Sequence, residues 1–569
     1  MTAIPLRIRI RSAIARVVRR KMIRRKDDFL QLAKQSCRDV QRKTLAGLLQ
    51  LNADSRYSQS LGLNADLSVP QFRQRHPVAD YENFRSAIDE MKQGDHRALL
   101  GQKNPLLMYA VTSGTTAKSK LIPVTRRFVD DYRRGWQHWG MGVFQSHPKL
   151  SQRRMVQISS SHDRQRTADG IPCGNISGLA SSMQKRIVQK LYSVPVATAG
   201  LLNAEIKRRA IATFALADPW VGMFITANPS TLLQLLAQAN ESAEPIIRDI
   251  HDGQLRCLDP SDAVFGTLSQ RMTANPTRAQ ELHSIMERHG ELKPTECWPK
   301  MVCLGVWTGG SAAAYLPQLR TAFPNIPIRD HGLHASEGRM TIPFEDNTAA
   351  GVLDIESHFF EFIPVAEATS TQPVVLDSHE LQDGGEYFIL LTTASGLYRY
   401  NMFDVVRCTG FFGTTPILEF LHKGAHISSI TGEKITESQV VAAVQTAGGN
   451  VAIEVRQFTL TPAWGEPPGY CLYVAAANGQ TLVDDQLRRV AESVDAELRR
   501  LNCEYEEKRA TSRLHPMKCE ALPEGDWQRY AERRLARSGG SPEQYKHPCL
   551  VPDSRFEGVF MKDCRPSVQ

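Results

Sequence analysis

No uninterrupted apolar stretch in this chain approaches the roughly 20 residues needed to span a bilayer, which argues against a helical membrane protein. The eleven cysteines are scattered singly, with no C-x-x-C pair and no His-Cys spacing suited to zinc, as expected of a reduced, cytoplasmic chain. Acidic side chains are missing from residues 1–26, which carry ten basic ones from Arg7 to Lys26. With 69 Lys and Arg against 60 Asp and Glu overall, the rest of the chain holds 59 against 60, so the net charge of +9 belongs to that first segment. The body is neutral. It lacks the basic face a nucleic-acid-binding domain needs, and no aromatic-basic interleaving of the RNA-binding kind is present. In residues 1–26, Ile8, Ile10, Ile14, Val17, Val18 and Met22 alternate with arginines. That mixture suits either a helix packed on the body or one in weak contact with an anionic membrane surface. A transit peptide would also lack acids, but would be richer in serine.

At 569 residues the chain is too long for one core, while 42% hydrophobic and 23% charged residues are ordinary for a globular protein. Residues 27–52 read as a helix, with Phe29, Leu32, Ala33, Val40, Leu48 and Leu51 as its buried stripe; helical patterns recur at Ser230–Ala239 and Thr277–His289. Short apolar strands lie at Met155–Ile158, Met301–Trp307, Ile326–Arg329 and Tyr387–Thr392. Strands alternating with helices predict an α/β domain. Composition changes near residue 430. Thr431-Gly432-Glu433-Lys434 reads as a turn, Thr436 and Gln439 as a capping box, and Gly448-Gly449 as the end of the helix they open. Strands at Val455–Leu460 and Tyr470–Ala475 and an amphipathic helix Asp484–Leu501 complete a smaller α+β domain. The expected division is a basic segment 1–26, a large domain 27–430, a hinge 431–436 and a C-terminal domain 437–569.

Several segments can carry chemistry. Thr112-Ser113-Gly114-Thr115-Thr116 follows the apolar run Leu106–Val111 and precedes Lys118 and Lys120, so hydroxyls, backbone N–H groups and ammonium groups can gather phosphate oxygens. Gly114 is the only glycine between Tyr109 and Arg127, which excludes the Walker and dinucleotide loops; a plain turn remains the alternative. Thr308-Gly309-Gly310-Ser311 nearly imitates a hydrolase nucleophile elbow, without its last glycine, and equally suits a tight strand-to-helix turn. His331, His334 and Glu337 have a spacing that drifts off one helix face; Glu337 alone better suits magnesium beside phosphates. Tyr398 to Asp404 puts an acid after an aromatic-basic run, fit to accept two ribose hydroxyls or to pair with Arg399 at the surface. Lys546 follows the flexible run Ser538 to Gln544 and is either a solvated surface group or a charge delivered into a cleft.

In order and context, the stretches Thr112–Lys120, Asn228–Ser230, His334–Glu337, Tyr398–Asp404, Thr431–Lys434 and Gly540–Lys546 resemble the auxin-responsive Gretchen Hagen family of acyl acid amido synthetases, in its bacterial form, over almost the whole chain. The resemblance implies an adenylate-forming enzyme: an α/β fold with a large ATP-binding domain of helix-flanked sheets and a small mobile α+β C-terminal domain. It implies ATP and Mg²⁺ as cofactors, with a small-molecule carboxylic acid and an amine, an amino acid, as substrates, and no nucleic acid partner. Ser113, Gly114, Thr115 and Thr116 match the phosphate loop. Ser336 and Glu337 match the acidic motif, with Glu337 near nucleotide and magnesium. Gly309 and Gly310 fall in the segment flanking adenine, Asp404 matches the ribose-binding acid, Lys434 the hinge lysine, and Lys546 the small-domain lysine that reaches the α-phosphate. Two departures stand out. His334-Ala335-Ser336 replaces an aromatic and paired serines, and Phe403 stands where glycine is common, so that its ring is expected to reshape the nucleotide pocket.

On this reading a carboxylate is converted to an acyl-adenylate and an amine then attacks its carbonyl. An acyl-CoA ligase, or a catalytically weakened nucleotide-binding or membrane-surface protein, are the alternatives.

Overall fold

A computed structural model describes residues 6–552 except 113–119, 160, 164, 184–185, 202, 368–369, 371, 425–426, 429, 432, 434, 464, 466, 477–481 and 539–544. The chain starts with helix α1 (Leu6–Gln35), broken at Ser36 before α2 (Cys37–Asn52). The basic segment and the first half of the expected 27–52 helix are thus one helix. The break is fixed by contacts with a distant hairpin: Thr415 Oγ1 donates to the Ala33 carbonyl at 2.6 Å, and the Thr414 N–H to that of Lys34 at 3.0 Å. Phe29 and Ala33 are buried, so this half of α1 packs on the body.

Strand β1 (Leu106–Thr112) pairs antiparallel with β2 (Lys120–Thr125), and Thr125 caps the long helix α3 (Arg126–Ser146) by accepting the Phe128 N–H. A parallel sheet follows, with β3 (Arg154–Gln157), β4 (Val221–Thr226), β5 (Cys303–Val306) and β6 (Ile328–Arg329) in sequential order. β4 and β5 are buried throughout, which is why they read as unbroken apolar runs. Helix α4 (Pro229–Glu241) returns along this sheet from its Asn228 cap. A seven-stranded sheet holds β7 (Phe359–Pro364), β8 (Glu386–Thr392), β9 (Tyr400–Phe412) and β10 (Thr415–Lys423), the last four being antiparallel neighbours in that order.

The terminal lobe has its own core, from Ile435 to Leu550. Helix α5 (Glu437–Val451) opens with the Thr436–Gln439 capping box. It runs on through Gly448 and Gly449 and stops only at Ala452, which takes φ +54°. Burial of Val440, Val441, Val444 and Ala447 outweighs the cost of about 1 kcal/mol per internal glycine, so the pair does not end the helix. β11 (Val455–Ala463), β12 (Gly469–Ala476) and β13 (Lys518–Ala521) form its sheet, covered by α6 (Asp484–Leu501). Among the described residues, no helix is long and apolar enough to cross a membrane.

Candidate active site

β5 hands the chain to Trp307 and Thr308. The Thr308 N–H and hydroxyl both donate to one oxygen of Asp330, whose other oxygen accepts the Gly332 N–H at 2.6 Å. Burial pushes the Asp330 carboxyl up to about 7. The glycines that follow are required: Gly310 has φ +57°, and a Cβ there would stand 2.7 Å from the Phe420 ring of β10. Ser311 enters a 3₁₀ turn, Gly310–Tyr315, and no histidine bonds it among the described residues, so the segment is the tight turn and not a nucleophile elbow.

Glu337 stands at the tip of a short hairpin. Ala335 and Gly338 exchange backbone hydrogen bonds at 2.8 and 3.3 Å, and His334 bridges Arg339, leaving Ser336 half-buried and Glu337 buried between them. Burial raises the Glu337 pKa; the Lys423 and Lys120 charges oppose the rise and Asp404 adds to it. Glu337 therefore lies in the combined field of the β9–β10 pair and the start of β2. His331 and His334 do not join it as ligands. They sit against Trp136, and burial, then Arg339, lowers His334 to about 3. A different trio, His147, Cys303 and Asp346, brings ligand atoms together, but the Arg329 guanidinium already binds Asp346 at 2.7 Å and offsets the charge a cation would seek.

Asp404 is buried on β9 and accepts a 2.6 Å hydrogen bond from Lys423 Nζ on β10. The expected surface pair with Arg399 does not form. Arg399 is itself buried and bonds Glu361 on β7 at 3.0 Å and the His76 carbonyl at 2.7 Å, so its guanidinium is taken up on the side away from Asp404 by these partners. Phe403 adopts φ +60°, its carbonyl accepting the Gly424 N–H at 2.6 Å and its ring left 44% exposed.

The terminal lobe contributes Lys546, whose Nζ lies 3.5 Å from the centroid of the Trp307 ring. Lys546 is exposed, yet the protein crowding its ammonium, followed by Lys423, lowers its pKa to about 8 against the pull of Asp404, Glu437 and Glu337. The charges of Asp404 and Lys423 thus act on both Glu337 and Lys546, while Gly309 and Gly310 pack against Phe420, and Gly309 also against the Trp307 ring on which Lys546 rests. Ser113 to Thr116, Lys118 and Lys434 lie outside the described residues. The flanking strands β1 and β2 end at Thr112 and begin at Lys120, and the Lys120 charge acts on Glu337. Lys423 and Trp307 are the residues that sequence reading missed. Lys423 sits in a plain strand, and only its cross-strand register with Asp404 gives it meaning.

Sequence profiles decide the family. The GH3 family N-terminal domain matches residues 26–328, its central domain 351–423 and its C-terminal domain 438–555. The chain belongs to the GH3 family. Among its relatives, a jasmonoyl–L-amino acid synthetase from Oryza sativa subsp. japonica is 24% identical, covering 93% of this chain and 94% of the relative. An indole-3-acetic acid-amido synthetase from Arabidopsis thaliana is 23% identical, over 90% and 89%. The solved structure of the acyl acid amido synthetase AtGH3.15 in complex with 2,4-DB superposes with a TM-score of 0.82 at 20% identity, covering 95% of each chain. This GH3 chain is accordingly an ATP-using ligase of the amido synthetase class, with the fold of a solved GH3 acyl acid amido synthetase.

Proposed function

We propose that the crevice between the lobes activates a small organic acid as its acyl-adenylate and passes the acyl group to an amino acid. The observation supporting this is that the charges of Asp404, Lys423 and Glu337 act on Lys546, which the terminal lobe brings against Trp307 of the large lobe. The donor set fits ATP with Mg²⁺: a buried carboxylate supplies a hard oxygen, a second one can accept ribose hydroxyls, and two ammonium groups offset phosphate charge. Mg²⁺, which Glu337 would hold, would supply charge neutralisation for the phosphates.

The chain's own residues do the rest. Glu337 holds the metal-facing side of the site and Asp404 orients the ribose. The 113–119 loop, with Ser113, Gly114, Thr115 and Thr116, cradles phosphate oxygens. Gly309 and Gly310 flank the base, Ser336 belongs with Glu337 to the nucleotide-binding motif, and Lys434 acts as the hinge lysine. Lys546 neutralises the α-phosphate as the carboxylate attacks. The lobe must then move, because the space that held pyrophosphate has to admit the amine. Relatives named for jasmonic and indole-3-acetic acids favour carboxylates of that size, with amino acids as acceptors. A pyrophosphate-release screen across aromatic, aliphatic and fatty acids tests this, followed by product masses with mixed amino acids and, separately, coenzyme A. Amide products are expected; thioester products or no pyrophosphate release would overturn the reading.

Arg20, Lys21, Arg24 and Arg25 are exposed along one face of α1, and that stripe suits weak contact with an anionic membrane surface. Vesicles rich in phosphatidylserine should retain the full chain and lose it when residues 1–26 are removed.

A further inference from the structure

Lys546 stands between two neighbours tied to different lobes. On its C-terminal side, His547 is set into the terminal lobe: its Nε2 lies 2.9 Å from Thr459 Oγ1 and 3.0 Å from the Phe458 carbonyl, and its Nδ1 lies 3.0 Å from Gln457 Nε2. On its N-terminal side, the Tyr545 carbonyl accepts a 2.8 Å hydrogen bond from Asn228 Nδ2 of the large lobe. Asn228 is itself held, because its Oδ1 caps α4 by accepting the Ser230 N–H at 3.0 Å. The Lys546 ammonium, meanwhile, rests on the Trp307 ring, and Trp307 is fixed by its contact with Phe420 at 5.4 Å and by the Thr308–Asp330 bonds that follow it. Asp404, Glu337 and Glu437 act on the lysine only through their fields.

An aromatic face holds an ammonium without cancelling its charge, whereas a carboxylate would compete with the phosphate for it. A neutral amide-to-carbonyl bond and a ring contact are also easily broken and remade.

We propose that Trp307 and Asn228 are positioning residues that hold Lys546 over the crevice during adenylation and let it go for acyl transfer. This rests on the adenylation reading given above. It assigns the two residues to one half-reaction only.

The test separates the half-reactions in the full-length chain. Trp307→Leu removes the aromatic face and Trp307→Phe keeps it. Asn228→Asp keeps the helix cap but turns the donor facing the Tyr545 carbonyl into a repelling acceptor. Carboxylate-dependent pyrophosphate exchange should fall roughly three- to thirtyfold in Trp307→Leu and roughly two- to twelvefold in Asn228→Asp, in kcat and not in the KM for ATP. Trp307→Phe should restore most of the rate. Transfer from a chemically made acyl-adenylate to an amino acid should be unchanged or faster in all three. Equal losses in both half-reactions, no loss in exchange, or no rescue by phenylalanine would overturn the proposal. Melting temperatures measured alongside identify a variant that has merely unfolded, in which case the others decide. A wild-type chain without exchange on any acid would overturn the adenylation reading, and this inference with it.

Discussion

Lys423 Nζ donates to Asp404 Oδ1 at 2.6 Å across the β9–β10 pair, and the same ammonium acts on Glu337. Burial acts to lower the Lys423 pKa, but Asp404 and Glu337 together turn the balance upward. Without Lys423, two carboxylates of the crevice would face an incoming triphosphate with less opposing charge. Lys423→Ala is therefore expected to raise the KM for ATP, and Asp404→Ala, which removes the acceptor proposed for the ribose hydroxyls, to raise it by about tenfold, or about 1.4 kcal/mol. Pyrophosphate exchange at varied ATP measures both; an unchanged KM in Asp404→Ala would remove it from the ribose position.

Lys546→Ala should slow exchange by roughly a hundredfold or more, the usual loss when one preorganised charge contact is removed. The wild-type rate should also fall as pH rises through about 8, where Lys546 gives up its proton. A pH–rate profile flat from 7 to 9, or full activity in the variant, would exclude the lysine from the step.

Buried imidazoles predict acid sensitivity. In the unfolded chain they take protons near pH 6.5, whereas burial holds His76, His138 and His547 at about 4 and His334 and His358 at about 3. Below pH 6.5 the unfolded state binds protons that the folded state refuses, so stability present above 6.5 drains away as pH falls. His331 shifts the same way, while Asp330, pushed up to about 7 by burial, and other buried carboxyls raised from lower starting values, Glu337 and Asp354 among them, work in the opposite sense. Thermal unfolding should show Tm dropping between pH 6.5 and 5; a constant Tm across that window would contradict the assignment.

Phe403 tests a backbone argument. At φ +60° a β-branched side chain is strained, so Phe403→Val should destabilise by about 1 kcal/mol or more, while Phe403→Gly, where relieved strain offsets added chain entropy, should stay within about 1 kcal/mol of wild type. Denaturant unfolding distinguishes them. Because the ring is exposed, the glycine variant should bind ATP as wild type does; tighter binding would mean that the ring crowds the nucleotide.

Local signals were legible in the chain wherever they were strong and self-contained. The Thr436–Gln439 capping box and the helix Asp484–Leu501 stand where the pattern put them, because their periodicity and caps need no distant partner. The glycine pair at 448–449 misled, since tertiary burial overrode propensity. The break at Ser36 depends on Thr414 and Thr415, hundreds of positions away. In the crevice, Glu337 and Asp404 could be named from order and context. Lys423 and Trp307 could not, because one acquires its role through β-sheet register and the other through a contact between lobes.

The turn Gly310–Tyr315 has a mechanical consequence. Ala313 and Ala314 lie against the terminal lobe's core, the Gln445 amide donates to the Ala313 carbonyl at 2.7 Å, and the Gln318 amide to that of Arg456 at 3.2 Å. This seam is made of methyl groups and uncharged amides, whose partners water replaces at a cost of about 1 kcal/mol each. Contacts of this kind strand no charge when they open, so this part of the boundary can separate and re-close many times without disturbing the core on either bank.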